Sequence, residues 1–145
     1  MSINKYQLQE LIDDILIEVN LYSTDASNLL MGTAATESQL GTYIKQLGKG
    51  PALGIFQMEP FTFHDLIDRF SGRCPYTKDF KVEELRYNLR TAIIMARIKY
   101  LSIKQPLPPG NNLLEMAKYW KQWYNTPKGA GTMADFMHCY SKYIL

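Results

Sequence analysis

Apolar residues recur at helical spacing along most of the chain. Between residues 5 and 20, Leu8, Leu11, Ile12, Ile15, Leu16 and Val19 fall on one face, with Asp13, Asp14 and Glu18 opposite, which predicts an amphipathic helix. A second helix is expected after Thr24 or Asp25, either of which could cap it. It runs through Leu29, Leu30 and Ala34 to about Glu37. Residues 41–58 break the pattern, because Gly41, Gly48, Gly50, Gly54 and Pro51 interrupt a short apolar run. A loop or small β-hairpin is expected there. Pro60 or Thr62 opens a further helix carrying Phe63, Leu66, Ile67 and Phe70.

The longest predicted helix covers residues 82–104, with Leu85, Leu89, Ala92, Ile93, Ala96 and Tyr100 in one stripe. The prolines of residues 106–110 stop it. Two more helices are expected over 112–124 and 132–144, separated by a turn at 125–131. No internal repeat or long linker interrupts this order. The expected fold class is mostly α (α+β), with residues 1–145 forming a single domain and an irregular or β-hairpin insert near 41–58.

Composition narrows the possibilities. The net charge is +2 and no Lys/Arg cluster stands out, so no nucleic-acid partner is expected. Nor does any stretch approach the ~20 apolar residues of a membrane span. The N-terminus lacks the apolar core of a signal peptide, since acidic residues punctuate it, so synthesis in a cytoplasm without export by the usual signal is expected. Cys74 and Cys139 lie far apart and lack metal-ligand spacing, as do His64 and His138. Two free thiols and no metal site are expected.

Glu37 is the residue with the clearest chemical potential. Small and apolar residues precede it, so its helix should be buried, and it lies near the helix C-terminus. Burial and the helix dipole both favour the protonated carboxyl, which a general acid needs near neutral pH. A surface glutamate at a helix end fits the same local pattern. Three ordered segments tip the balance: Glu37-Ser38-Gln39-Leu40-Gly41, then Gly54-Ile55-Phe56-Gln57-Met58-Glu59-Pro60, and finally Trp123-Tyr124-Asn125-Thr126-Pro127-Lys128-Gly129.

This set resembles the soluble lytic transglycosylases and goose-type lysozymes of the lysozyme-like superfamily, over roughly residues 26–131. The resemblance implies a lysozyme-like domain that cleaves the MurNAc–GlcNAc bond of peptidoglycan, a glycosidase without cofactor, with Glu37 as the catalytic acid. It implies that Ser38 helps place the substrate or the acid, and that Gly54, Phe56 and Gln57 line the sugar cleft. Tyr124 and Asn125 match cleft-wall residues. Glu59 stands where goose-type lysozymes often carry a second acid, and it could activate water as a catalytic partner of Glu37. An acidic residue at the start of the helix opened by Pro60 is the plainer reading of Glu59. Asp65 and Asp68 are weaker candidates on a solvent-facing helix.

The sequence departs from the family pattern at Lys49-Gly50-Pro51-Ala52-Leu53, at Ala92 and Met95, and in the turn after Asn125. These departures bear on substrate contacts and leave the acid in place. A wall hydrolase without an export signal resembles phage products, either an endolysin or a virion component that opens the wall at entry. A monomer acting on peptidoglycan is expected. An inactive peptidoglycan-binding or virion structural module is the alternative, and the retained Glu37 argues against it.

Overall fold

Asn4, Ser23, Asn88, Asn112 and Thr132 each stand immediately before a helix. Each turns a side-chain oxygen onto a backbone N–H of the first turn, where four such donors have no partner within the helix. The computed structural model describes residues 2–145. These caps open α1 (Lys5–Glu18), α2 (Thr24–Ser38), α5 (Leu89–Leu101), α6 (Leu113–Tyr119) and α7 (Met133–Tyr143). Pro60 opens α3 (Pro60–Phe70) and Pro75 opens a 3₁₀ turn (Pro75–Asp79), where a missing N–H costs nothing. A one-turn helix, α4 (Glu84–Tyr87), precedes α5.

The cap of α2 is Ser23, not Thr24 or Asp25. The Asp25 carboxylate instead accepts from Gly110 N–H at 2.8 Å, which fastens the proline-rich segment to α2. The predicted helix over 82–104 is broken at Asn88, whose backbone is extended (φ −112, ψ 103). The Asn88 side chain accepts from Thr91 N–H at 3.3 Å and donates to the Glu84 carboxylate at 3.0 Å. A polar side chain that bonds backbone locally thus overrides the apolar periodicity. Nor is α5 a one-sided stripe. Every residue from Thr91 to Ile98 is buried, so it is the central helix of the fold.

Around α5 pack α1, α2, α3, α4 and the segment after α6, while α7 lies chiefly against α2 and α6. Gly32 on α2 lets α7 approach closely. A Cβ there would sit 2.3 Å from the Phe136 ring of α7. One contiguous core draws on all of these elements, and the chain forms a single, mostly helical domain. No helix among the described residues is long and apolar enough to cross a membrane.

The predicted helix over 112–124 changes winding partway. After Tyr119 it widens into a π-helical turn (Trp120–Asn125). Both Trp120 and Tyr124 are buried by it, Trp120 toward α2 and Tyr124 beside Tyr100 of α5 at 5.2 Å between ring centroids. Insertions of this type occur often at functional sites.

The expected insert takes the form of consecutive turns with two isolated antiparallel bridges, Lys45 with Leu53 and Leu53 with Met58. Gly54 sits at its tightest point. Its φ is +82, and a Cβ would lie 1.8 Å from the carbonyl oxygen of Leu85. Gly54→Ala therefore meets both backbone strain and a backbone clash, and should cost at least about 2 kcal/mol. A melting temperature unchanged from the parent protein would contradict this packing.

Candidate active site

Helix α2 ends one residue after Glu37. Gln39 adopts the left-handed conformation (φ 52) and Leu40 and Gly41 follow with positive φ. The chain thus leaves the helix at Gln39, close to the expected end near Glu37. Ser38 explains why. Its buried hydroxyl donates to the Ile55 carbonyl at 2.6 Å and accepts from Gly41 N–H at 2.9 Å. This staples the helix end to the 41–58 segment and fixes the direction in which Glu37 projects.

Glu37 projects into a cavity of about 750 Å³ whose walls come from four parts of the chain. Gln39, Tyr43 and Gln57 belong to the turn-rich segment, Glu59 and Thr62 to the start of α3, and Lys99 to α5. Tyr124, Asn125 and Gly129 complete the wall opposite. A second cavity of about 290 Å³ shares Thr36, Glu37, Asn125 and Gly131 with the first, and adds Trp120, Asp135 and Cys139. Glu37 therefore lies where the two meet.

The Glu37 carboxyl accepts a hydrogen bond from the Trp120 indole N–H at 3.1 Å. Its pKa is raised from 4.5 to about 7. Burial is the largest cause and favours the neutral form. The Trp120 hydrogen bond and the Lys99 charge both oppose it. Part of Glu37 stays open to the cavity, so a shielded carboxyl remains reachable. At neutral pH the group is therefore balanced between acid and carboxylate.

Tyr124 is buried beside it. Its hydroxyl donates to the Phe56 carbonyl at 2.6 Å, and burial and then the Glu37 charge hold its pKa well above the ordinary value. Asn125 accepts from the Lys121 ammonium at 2.8 Å, and that ammonium also donates to the Gly129 carbonyl at 2.9 Å, which closes the turn after the π helix.

The sequence-predicted residues thus divide into two groups. Glu37, Glu59, Gln57, Tyr124 and Asn125 share the larger cavity. Ser38, Gly54 and Phe56 do not line it. Ser38 and Phe56 are buried and act through backbone contacts, and the close approach at Gly54 is to Leu85, not to a ligand. Gln57 donates its amide to the Gly54 carbonyl at 2.9 Å, bracing the turn from inside the cavity. Glu59 is the residue before α3. It is exposed, and no cap hydrogen bond ties it to the helix start.

Asp65 and Asp68 are exposed on α3, and Asp65 pairs with Arg69. Cys74 and Cys139 are free thiols, and no group of metal ligands forms among the described residues. Sequence reasoning missed Trp120 and Lys99. A buried tryptophan needs a partner for its N–H, so Trp120 could have been sought as a neighbour of the acid. No protein-family model, curated protein or solved structure matches the chain.

Replacing Glu37 has a predictable effect on stability. The folded pKa, about 7, lies above the value of 4.5 for a free carboxyl. Below pH 4.5 both states are protonated and burial carries no ionisation penalty. Above 4.5 the unfolded chain releases the proton that the folded state keeps, so stability falls as pH rises from 4.5 to about 7, by roughly 3 kcal/mol at most, and levels off once the folded group also ionises. Glu37→Gln removes this penalty and keeps an acceptor for Trp120. Thermal melts should show the variant several degrees more stable at pH 8 and equal to the parent at pH 4. A lower melting temperature at pH 8 would contradict the assigned burial cost.

Proposed function

We propose that the chain cleaves peptidoglycan glycan strands at the β-1,4 bond between N-acetylmuramic acid and N-acetylglucosamine, with Glu37 as general acid. The domain would then be a lysozyme-like one, akin to the soluble lytic transglycosylases and goose-type lysozymes. The observation that carries this reading is the Glu37 carboxyl, retained to about pH 7 on the wall of an open cavity of about 750 Å³. Acid-catalysed glycoside cleavage needs such a proton donor and no cofactor. The order of the Glu37, Gly54–Glu59 and Tyr124–Gly129 segments in the sequence gives independent support.

In this mechanism protonated Glu37 donates to the glycosidic oxygen as its bond to the anomeric carbon breaks. The aglycone leaves as an alcohol, and positive charge develops on the sugar ring. The resulting Glu37 carboxylate is stabilised by the Trp120 N–H. Two completions are open to the oxocarbenium-like species. Water activated by a second carboxylate gives a reducing end. The sugar's own 6-hydroxyl gives an anhydro ring. Glu59 shares the cavity with Glu37 and is not committed to a helix cap, which favours it as the second carboxylate.

Digestion of purified peptidoglycan followed by mass spectrometry tests both levels. Glu37→Gln should lower turnover by about 10²–10⁴-fold. Retained activity in that variant would remove Glu37 from the role. Reducing ends that depend on Glu59 would support hydrolysis with two carboxylates. Anhydro ends as the main product, untouched by Glu59→Gln, would leave Glu37 working alone. The rate should also fall as pH rises through about 7, when Glu37 loses its proton. A rate that keeps rising to pH 9 would contradict an acid with that pKa.

A further inference from the structure

Lys99 lies outside the three ordered segments around Glu37, Gly54–Glu59 and Trp123–Gly129, and the mechanism gives it no task. Lysine usually keeps its ammonium in water while its stem covers apolar surface. The Lys99 ammonium instead turns inward. It lies 3.7 Å from the centroid of the Tyr124 ring and donates to the Tyr124 carbonyl at 3.0 Å. It lines the same cavity as Glu37 and Glu59. The carbonyl and the ring hold the charge in one place by hydrogen bonding and cation–π attraction.

That position has a cost, visible in the titration of Lys99 itself. Burial lowers its pKa to about 8, while Glu37 and then Glu59 act to raise it. No ion pair joins Lys99 to either carboxylate among the described residues. The coupling therefore crosses the cavity as a field, strengthened by partial exclusion of water. Other titratable groups around the two cavities are Tyr43 of the turn-rich segment, Glu59 before α3, Tyr100 on α5 beside Lys99, Tyr124 on the π turn, and Asp135 and Cys139 on α7. Lys121 is engaged with Asn125 and Gly129. Lys99 is the cation that acts on the Glu37 carboxyl.

We propose that Lys99 is the positioning residue for Glu37. Clamped on Tyr124, it holds a fixed positive charge in the cavity that stabilises the carboxylate left by proton transfer and so strengthens Glu37 as an acid. The catalytic part of this inference rests on Glu37 being the glycosidase acid, whereas its electrostatic part does not.

The test titrates the ¹³C-labelled Glu37 carboxyl by NMR in the full chain, with the pH profile of glycan cleavage measured in parallel. Three variants separate charge from clamp. Lys99→Met removes both, Lys99→Gln keeps a donor for the Tyr124 carbonyl, and Lys99→Arg keeps the charge. The Glu37 midpoint should rise by about one pH unit in the Met and Gln variants, the size expected for losing one nearby opposite charge. It should stay near the parent value in the Arg variant. The alkaline limb of the rate profile should move up with the midpoint while the low-pH plateau falls several-fold. A purely structural Lys99 would lower the plateau and leave the limb where it is.

An unmoved midpoint in both Lys99→Gln and Lys99→Met would overturn the proposal. A raised midpoint in a protein that cleaves no glycan would uphold the charge assignment and overturn the glycosidase reading.

Discussion

Removing a carboxyl group from water raises the energy of its ionised form, and a protein that buries one must hold it there with packing gained elsewhere. Glu37 imposes that constraint on this chain. Its helix ends at a point where three unrelated segments converge: the turns of residues 41–58, the π-helical turn and the start of α7. Each contributes one part of the environment. The turns supply the polar wall, the π-helical turn supplies the Trp120 N–H, and α7 closes the far side through the second cavity.

The contacts that fix this convergence are mostly to backbone. Ser38 holds the Ile55 carbonyl, Tyr124 holds the Phe56 carbonyl and Lys99 holds the Tyr124 carbonyl. These three bonds link α2, the turn-rich segment, the π-helical turn and α5 around the acid. Gly54 allows the same segment to rest against the backbone of Leu85. The cavity is therefore shaped by irregular segments fastened to a rigid helical frame, an arrangement suited to placing a reactive group precisely enough to act. Its two lobes, meeting at Glu37, suit an extended substrate that passes the acid on both sides.

Much of the helical frame was legible from periodicity, because α1, α2, α3 and α7 each bury one face or present small residues at regular intervals. Periodicity failed where polar side chains intervened. Asn88 breaks a long apolar stripe by capping the helix after it, and the all-round burial of α5 hid which face mattered. The change to π winding at Trp120 left no sign in a pattern that still repeats like a helix. For the site, motif order led to Glu37, Gln57, Glu59, Tyr124 and Asn125, which do share one cavity. It could not tell lining residues from supports, so Gly54 and Phe56 were expected in the cleft wall when their contacts are to the chain itself, whereas Ser38, expected to place the substrate or the acid, holds the helix end that carries Glu37. Trp120 and Lys99 were invisible because each looks like an ordinary helix residue until the fold brings it to Glu37.

The central claim is that a glycan strand places its scissile oxygen against Glu37. The most direct measurement is a crystal structure of the Glu37→Gln protein with a MurNAc-containing tetrasaccharide. The account predicts sugar rings in both lobes of the cavity, with one glycosidic oxygen about 3 Å from the residue 37 amide. Sugar bound elsewhere on the surface, or in the cavity with no glycosidic oxygen within reach of residue 37, would contradict it.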